Sequence, residues 1–219
     1  MAETPITLKK LKPYISGQAK KAHSELDALM SEVPNVCKSG CSACCYQMVS
    51  VHTWEEELII DYIKSSMHVK TKAQVRKQLL AWWRYLKSIL RPSTRENPIT
   101  QQEQKQLALT MIQNKVMCPF LVDSKCSIYP VRPAMCRAHV VTDAPERCAT
   151  ELGRVGDVRG AYNMLATFGA ESEYLPFSNY PHAMKPLAFA LTGTFNVPVP
   201  STPMEGVILG DVISIPKSL

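Results

Sequence analysis

Seven of the chain's eight cysteines fall into two groups, and their type and spacing are the strongest chemical signal in the sequence. Cys37, Cys41, Cys44 and Cys45 lie within the nonapeptide CKSGCSACC, Cys118, Cys126 and Cys136 form the second group, and Cys148 stands alone. A segment of small and polar residues between thiols cannot build a core, so these sulfurs serve bonds to one another or to something else. Met1 leads into a lysine-rich stretch and no run reaches the ~18 apolar residues of a membrane span, which predicts a cytoplasmic protein that does not enter a membrane. A reducing compartment disfavours structural disulfides, and Cys44 and Cys45, being neighbours, are poorly placed to bridge. Metal coordination by thiolate is therefore the expected chemistry, with Cys37, Cys41, Cys44, Cys45, Cys118, Cys126 and Cys136 as candidate ligands.

Zinc and iron both suit such a donor set. A closed zinc site takes four ligands, and an iron–sulfur cluster such as 4Fe–4S also takes four thiolates, so seven or eight cysteines leave room for a second site or for redox work. Cys37, Cys41 and Cys44 also show the C-x3-C-x2-C spacing with which radical S-adenosylmethionine enzymes hold a cluster. Those enzymes need repeated strand–helix units, whereas here the cysteine loop leads into consecutive helices, which argues against that reading.

CKSGCSACC followed by CPFLVDSKCSIYPVRPAMCR resembles the CxxCxxCC zinc- or iron-chelating domain family, in the Cys-Pro-Phe-Leu, Cys-x-Ile-Tyr and Arg-Pro-x-x-Cys-Arg elements as well as in the cluster. The resemblance covers about residues 37–137 and implies metal chelation, without implying a reaction. A related group, the flagellin lysine methylases, carries a similar cluster and keeps methyl transfer open, although no glycine-rich cofactor loop is present. Arg132 and Arg137 bracket Cys136 and are expected to offset thiolate charge through N–H to sulfur contacts. Pro133, read as the first residue of a helix, would place Cys136 in the opening turn and lower its pKa.

The elements that must hold these residues are mostly helical. Ala22, Leu26 and Met30 recur at helical spacing and predict a helix over 16–33, closed by Pro34. Thr53 with Glu56 reads as a capping box opening a helix over about 54–66. Val75, Leu79, Trp82, Trp83, Leu86 and Leu90 mark one face of a helix over about 71–91, ended by Pro92, and Leu107, Met111 and Ile112 that of a helix over about 101–114. Asp123-Ser124 predicts a small two-stranded turn holding Cys118 and Cys126. Further helices are expected over about 157–169 and 183–192. The fold class is therefore mainly α: an irregular helical domain with a small β-turn element and a cysteine-rich metal site. The expected division is an N-terminal helical segment (1–34), a cysteine-cluster metal-binding domain (35–150) and a helical, Pro-rich extension (151–219).

The net charge of +6 is uneven, with eight Lys or Arg and no acid over residues 70–95. Trp82, Trp83 and Tyr85 beside these cations could stack bases, yet their spacing assigns the tryptophans to the core, so a solvated basic face is favoured over nucleic-acid binding. His139 is read as an ordinary residue and Cys148 as either an outlying ligand or a small buried hydrophobe. No Ser-His-Asp order, phosphate loop or H-E-x-x-H is present. Two functions stay open beside simple chelation: an iron–sulfur enzyme, with lysine-methylase-like activity as one form, and a metal-stabilised nucleic-acid-binding module.

Overall fold

The computed structural model describes residues 8–32, 36–37, 40–90, 100–141, 143–151 and 184–197. The chain is mainly helical, and its described residues hold four long helices, α1 (Leu8–Ser31), α2 (Thr53–Ser65), α3 (Val69–Ile89) and α4 (Gln101–Gln113), and two short ones, α5 (Ala134–Ala138) and α6 (Leu187–Ala190). Four short 3-10 turns and two two-stranded antiparallel ribbons complete the described elements. In one, β1 (Ser50–His52) pairs with β4 (Met184–Pro186); in the other, β2 (Leu121–Val122) pairs with β3 (Lys125–Cys126).

The helices exist because each buries an apolar stripe. On α1, Ala22, Leu26 and Met30 are buried as their spacing predicts, joined by Ala19 one turn and Ile15 two turns earlier. The helix begins at Leu8 rather than near residue 16 and runs through Pro13 and Gly17. Both residues disfavour helix interiors, and burial of Ile15 and Ala19 in the main core supplies the packing that overrides them. On α3, Val75, Leu79, Trp82, Trp83 and Leu86 are all buried. Leu107, Met111 and Ile112 play the same role on α4, whose start is closed reciprocally by Thr100 and Glu103.

Two further helix starts differ from the sequence expectation. The cap of α2 is His52, whose backbone is still extended, and Glu55 rather than Glu56 reaches back, its Oε2 accepting the His52 N–H at 3.0 Å. Similarly, α3 begins two residues before Thr71, with His68 Nδ1 accepting the Lys70 N–H at 3.2 Å. In both places a histidine ends the extended chain, and only its position fixes which acid or amide it meets.

The expected hairpin is present. Asp123 and Ser124 both take positive φ, 48° and 61°, the left-handed pair that turns two strands through a two-residue loop. Near the C-terminus the expected helix over 183–192 shrinks to α6, because residues 184–186 pair with β1 in the register Ser50↔Pro186, Val51↔Lys185 and His52↔Met184. Pro186 favours this, since it pushes the residue before it toward extended backbone. The helix expected over 157–169 lies outside the described residues.

Two apolar clusters organise the whole. The larger joins α1, α2, α3 and α4 with Phe120, Ile128, Val131, Leu187, Leu191 and Phe195. The smaller joins Leu26 and Met30 of α1 to Ala134 and Ala138 of α5, with Val140. Through that second cluster the N-terminal helix supports the segment carrying Cys136.

Candidate metal centre

Three segments bring their cysteines toward one place. Ala43–Tyr46 is a single 3-10 turn holding Cys44 and Cys45. Its carbonyl at Cys45 accepts the Cys118 N–H at 2.7 Å, so the first cysteine loop is bonded directly to the start of the hairpin segment. The Cys118 carbonyl in turn accepts from Leu121, and the Phe120 carbonyl accepts from both the N–H and the hydroxyl of Ser127, which fixes Cys118 and Cys126 on one compact turn. Cys136 enters on α5, its N–H donating to the Pro133 carbonyl at 2.8 Å.

Electrostatics ties the five sulfurs together. The Cys44 thiol is lowered to about 7, chiefly because its thiolate accepts a hydrogen bond from the Cys45 thiol, with Arg132 adding favourable charge. Cys45 is driven up by the same bond, by burial and by the charges of Cys44, Cys118 and Cys126. Burial pushes Cys118 up to about 12, with Cys126 and Cys44 contributing. Cys126 is raised mainly by burial, against an opposing pull from Arg132. Cys136 is raised well above the ordinary thiol value, first by burial, then by Cys118, Cys44, Cys126 and Glu55. One half-buried thiol that ionises readily beside four held above the ordinary thiol range is a donor set that a soft cation stabilises, because its charge offsets what the thiolates cannot offset among themselves. Among the described residues no three His, Cys, Asp or Glu side chains stand so that they could hold an ion together as placed. The donor chemistry fits zinc or iron, and the sulfurs must turn from each other toward a common point to use it.

Cys37 and Cys41 are exposed on the loop, apart in burial from the other five. Cys148 is buried at 3% exposure in the 3-10 turn Pro145–Ala149, and that turn packs on the turn bearing Cys44 and Cys45. Gln47 fastens the two, donating to the Cys148 carbonyl at 2.6 Å and the Glu151 carbonyl at 2.7 Å. Cys148 thus carries the buried hydrophobe's environment while lying beside the centre.

The two arginines flanking Cys136 separate in role. Arg132 stacks over the Tyr129 ring at 4.0 Å and acts on Cys44 and Cys126 through its charge rather than through the expected N–H to sulfur contact. Arg137 does not serve the sulfurs. It is buried at 6% and donates to the carbonyls of Arg132 at 2.9 Å and Pro130 at 2.7 Å and to the carboxylate of Asp27 on α1. The helix start also fails to lower Cys136: α5 is one short turn with Pro133 as its cap, too short a dipole to outweigh burial among neighbouring thiols.

Sequence reasoning overlooked Glu55 and His23. Glu55 is fully buried, and its Oε1 meets His23 Nε2 at 2.7 Å and accepts the Ala134 N–H at 2.6 Å. The acid run Glu55–Glu57 offered the only signal, and nothing in it marks which acid turns inward.

No curated protein and no solved structure matches the chain. A family model described as a "putative zinc- or iron-chelating domain" matches residues 36–152, reaching beyond Cys136 to take in Cys148. The match spans more than half of the chain, holds all eight cysteines and supports metal binding; the chain belongs to the CxxCxxCC family.

Proposed function

We propose that this chain holds zinc or iron through the thiolates of Cys44, Cys45, Cys118, Cys126 and Cys136, with the exposed Cys37 and Cys41 as outer donors. The observation that carries the reading is that the Cys45 carbonyl accepts the Cys118 N–H at 2.7 Å, joining two distant cysteine segments, with Cys126 and Cys136 within electrostatic reach of the same thiols. Bound metal would neutralise the thiolates and fasten the loop at 37–45 to the segment at 118–136, so that binding energy becomes folding energy. In this reading residues 35–150 are the metal-holding unit of a cytoplasmic protein, and Arg132 is the cation that balances excess sulfur charge.

Five donors exceed the four of a closed zinc site or a single cluster, so one of the adjacent pair Cys44 and Cys45 is free to bridge or exchange. Protein purified without oxygen and analysed for metal and acid-labile sulfide tests the proposal. Bound zinc or iron in stoichiometric amount supports it, with iron, sulfide and broad visible absorbance identifying a cluster. Protein that stays metal-free after incubation with both ions sinks it.

A further inference from the structure

We propose that Glu55, backed by His23, is the positioning residue that seats Cys136 in the metal centre, an inference resting on the reading of that centre given above. Glu55 is 0% exposed and His23 4%, and a carboxylate so placed is costly unless its oxygens are satisfied. Here they accept from three places. Oε1 takes the His23 ring nitrogen of α1 and the N–H of Ala134, the first residue of α5, while Oε2 takes the N–H of His52. His52 lies on the strand leaving the first cysteine loop, and Ala134 lies two residues before Cys136. One side chain therefore fixes the spacing between the two cysteine segments, and α1 holds that side chain in turn.

An acid is the residue that can do this. The three partners present donors to one small volume, and only a carboxylate accepts at both oxygens without bringing a donor of its own. A glutamine would set an N–H2 against a backbone N–H. The proximity is felt at the sulfur, since the Glu55 charge is among those acting on Cys136. Among the described residues the buried His23 Nδ1 meets no hydrogen-bond partner, and Glu55 is the polar contact that orients the ring.

The test uses the full reduced chain, wild type, Glu55→Gln, His23→Leu, Cys136→Ser and the double variant Glu55→Gln/Cys136→Ser. Zinc affinity is measured by chelator competition, and alkylation of each cysteine in metal-free protein by mass spectrometry. The expected result is a weakening of zinc binding by about 10- to 100-fold in Glu55→Gln, the range for an outer residue that orients a ligand. Cys136 should alkylate several-fold faster while Cys44 and Cys118 keep their rates, and the double variant should bind zinc no more weakly than Cys136→Ser alone. Should Glu55→Gln fail to fold, His23→Leu, which leaves both backbone bonds to Glu55, is expected to show the same selective exposure of Cys136 to a smaller degree. Equal acceleration at all cysteines, no acceleration at Cys136, or unchanged zinc affinity in Glu55→Gln would overturn the assignment. If the wild type itself takes up no zinc, the reading of the centre falls, and the alkylation pattern still decides whether Glu55 seats Cys136.

Discussion

Cys118 keeps its proton to about pH 12 in the folded chain, against an ordinary thiol value of 9.0, because burial penalises the thiolate. The unfolded chain gives up that proton first. The stability that Cys118 contributes to metal-free protein is therefore complete below pH 9 and is lost as pH rises from about 9 toward 12, which urea melts across that window should register as a falling midpoint. Metal reverses the demand, since it binds thiolates and expels their protons. Zinc affinity should accordingly fall as pH is lowered, by about tenfold per unit for each proton released, and titration heats should change with the ionisation enthalpy of the buffer. An affinity that does not vary between pH 6 and 8 would mean that the thiols are not the donors. Cys148 provides the contrast at the same scale: Cys148→Ala should cost about 1 kcal/mol in stability and leave metal content unchanged, because the Gln47 bond goes to its carbonyl and survives the substitution.

Among the elements, α5 depends most on groups that are not on it. Arg137 joins it to Asp27 on α1 and to the carbonyls of Pro130 and Arg132, so Arg137→Ala removes three charge-assisted bonds from a buried position. A loss of roughly 2–3 kcal/mol is expected in denaturant unfolding, moderated by the half-exposed Asp27. A value below half a kilocalorie would show that the segment is held by packing alone. The same element marks how far the sequence could be read. Helical stripes such as Val75–Leu79–Trp82–Leu86 and Leu107–Met111, and the Asp123-Ser124 turn, are local signals, and they placed α3, α4 and the hairpin. The cysteine set was visible for the same reason, thiols being scarce and closely spaced. What Arg137 and Glu55 touch was not legible, because their partners lie 110 and 79 residues away and no period in the chain records such a contact. The β1–β4 ribbon escaped notice likewise, three residues being too few to display a strand's alternation.

Across the whole molecule the positive charge gathers on α3, whose cations make no ion pair among the described residues. Trp82 and Trp83 are buried at 6% and 5%, which leaves the half-buried Tyr85, whose hydroxyl accepts from Asn114, as the remaining ring of the three that could stack bases. Replacing Arg76, Arg84 and Lys87 by glutamine should leave any co-purifying nucleic acid unchanged, and loss of a salt-sensitive complex would instead favour a binding module. Arg76 adds a structural role, donating to the Phe195 carbonyl at 3.0 Å and so fastening the 3-10 turn Gly193–Phe195 to α3.

The bond between the Cys45 carbonyl and the Cys118 N–H has a consequence in time as well as in space. A ribosome adding about 5–20 residues per second releases the loop with Cys37, Cys41, Cys44 and Cys45 roughly 4–15 s before Cys118 exists. During that interval four thiols stand on a nascent chain with no hairpin to receive them, open to any soft ion or oxidant nearby. On the proposed ligand set, the order of the segments along the gene would make the second group, Cys118 to Cys136, the gate on correct loading, since such a centre could not close until the last of them had emerged.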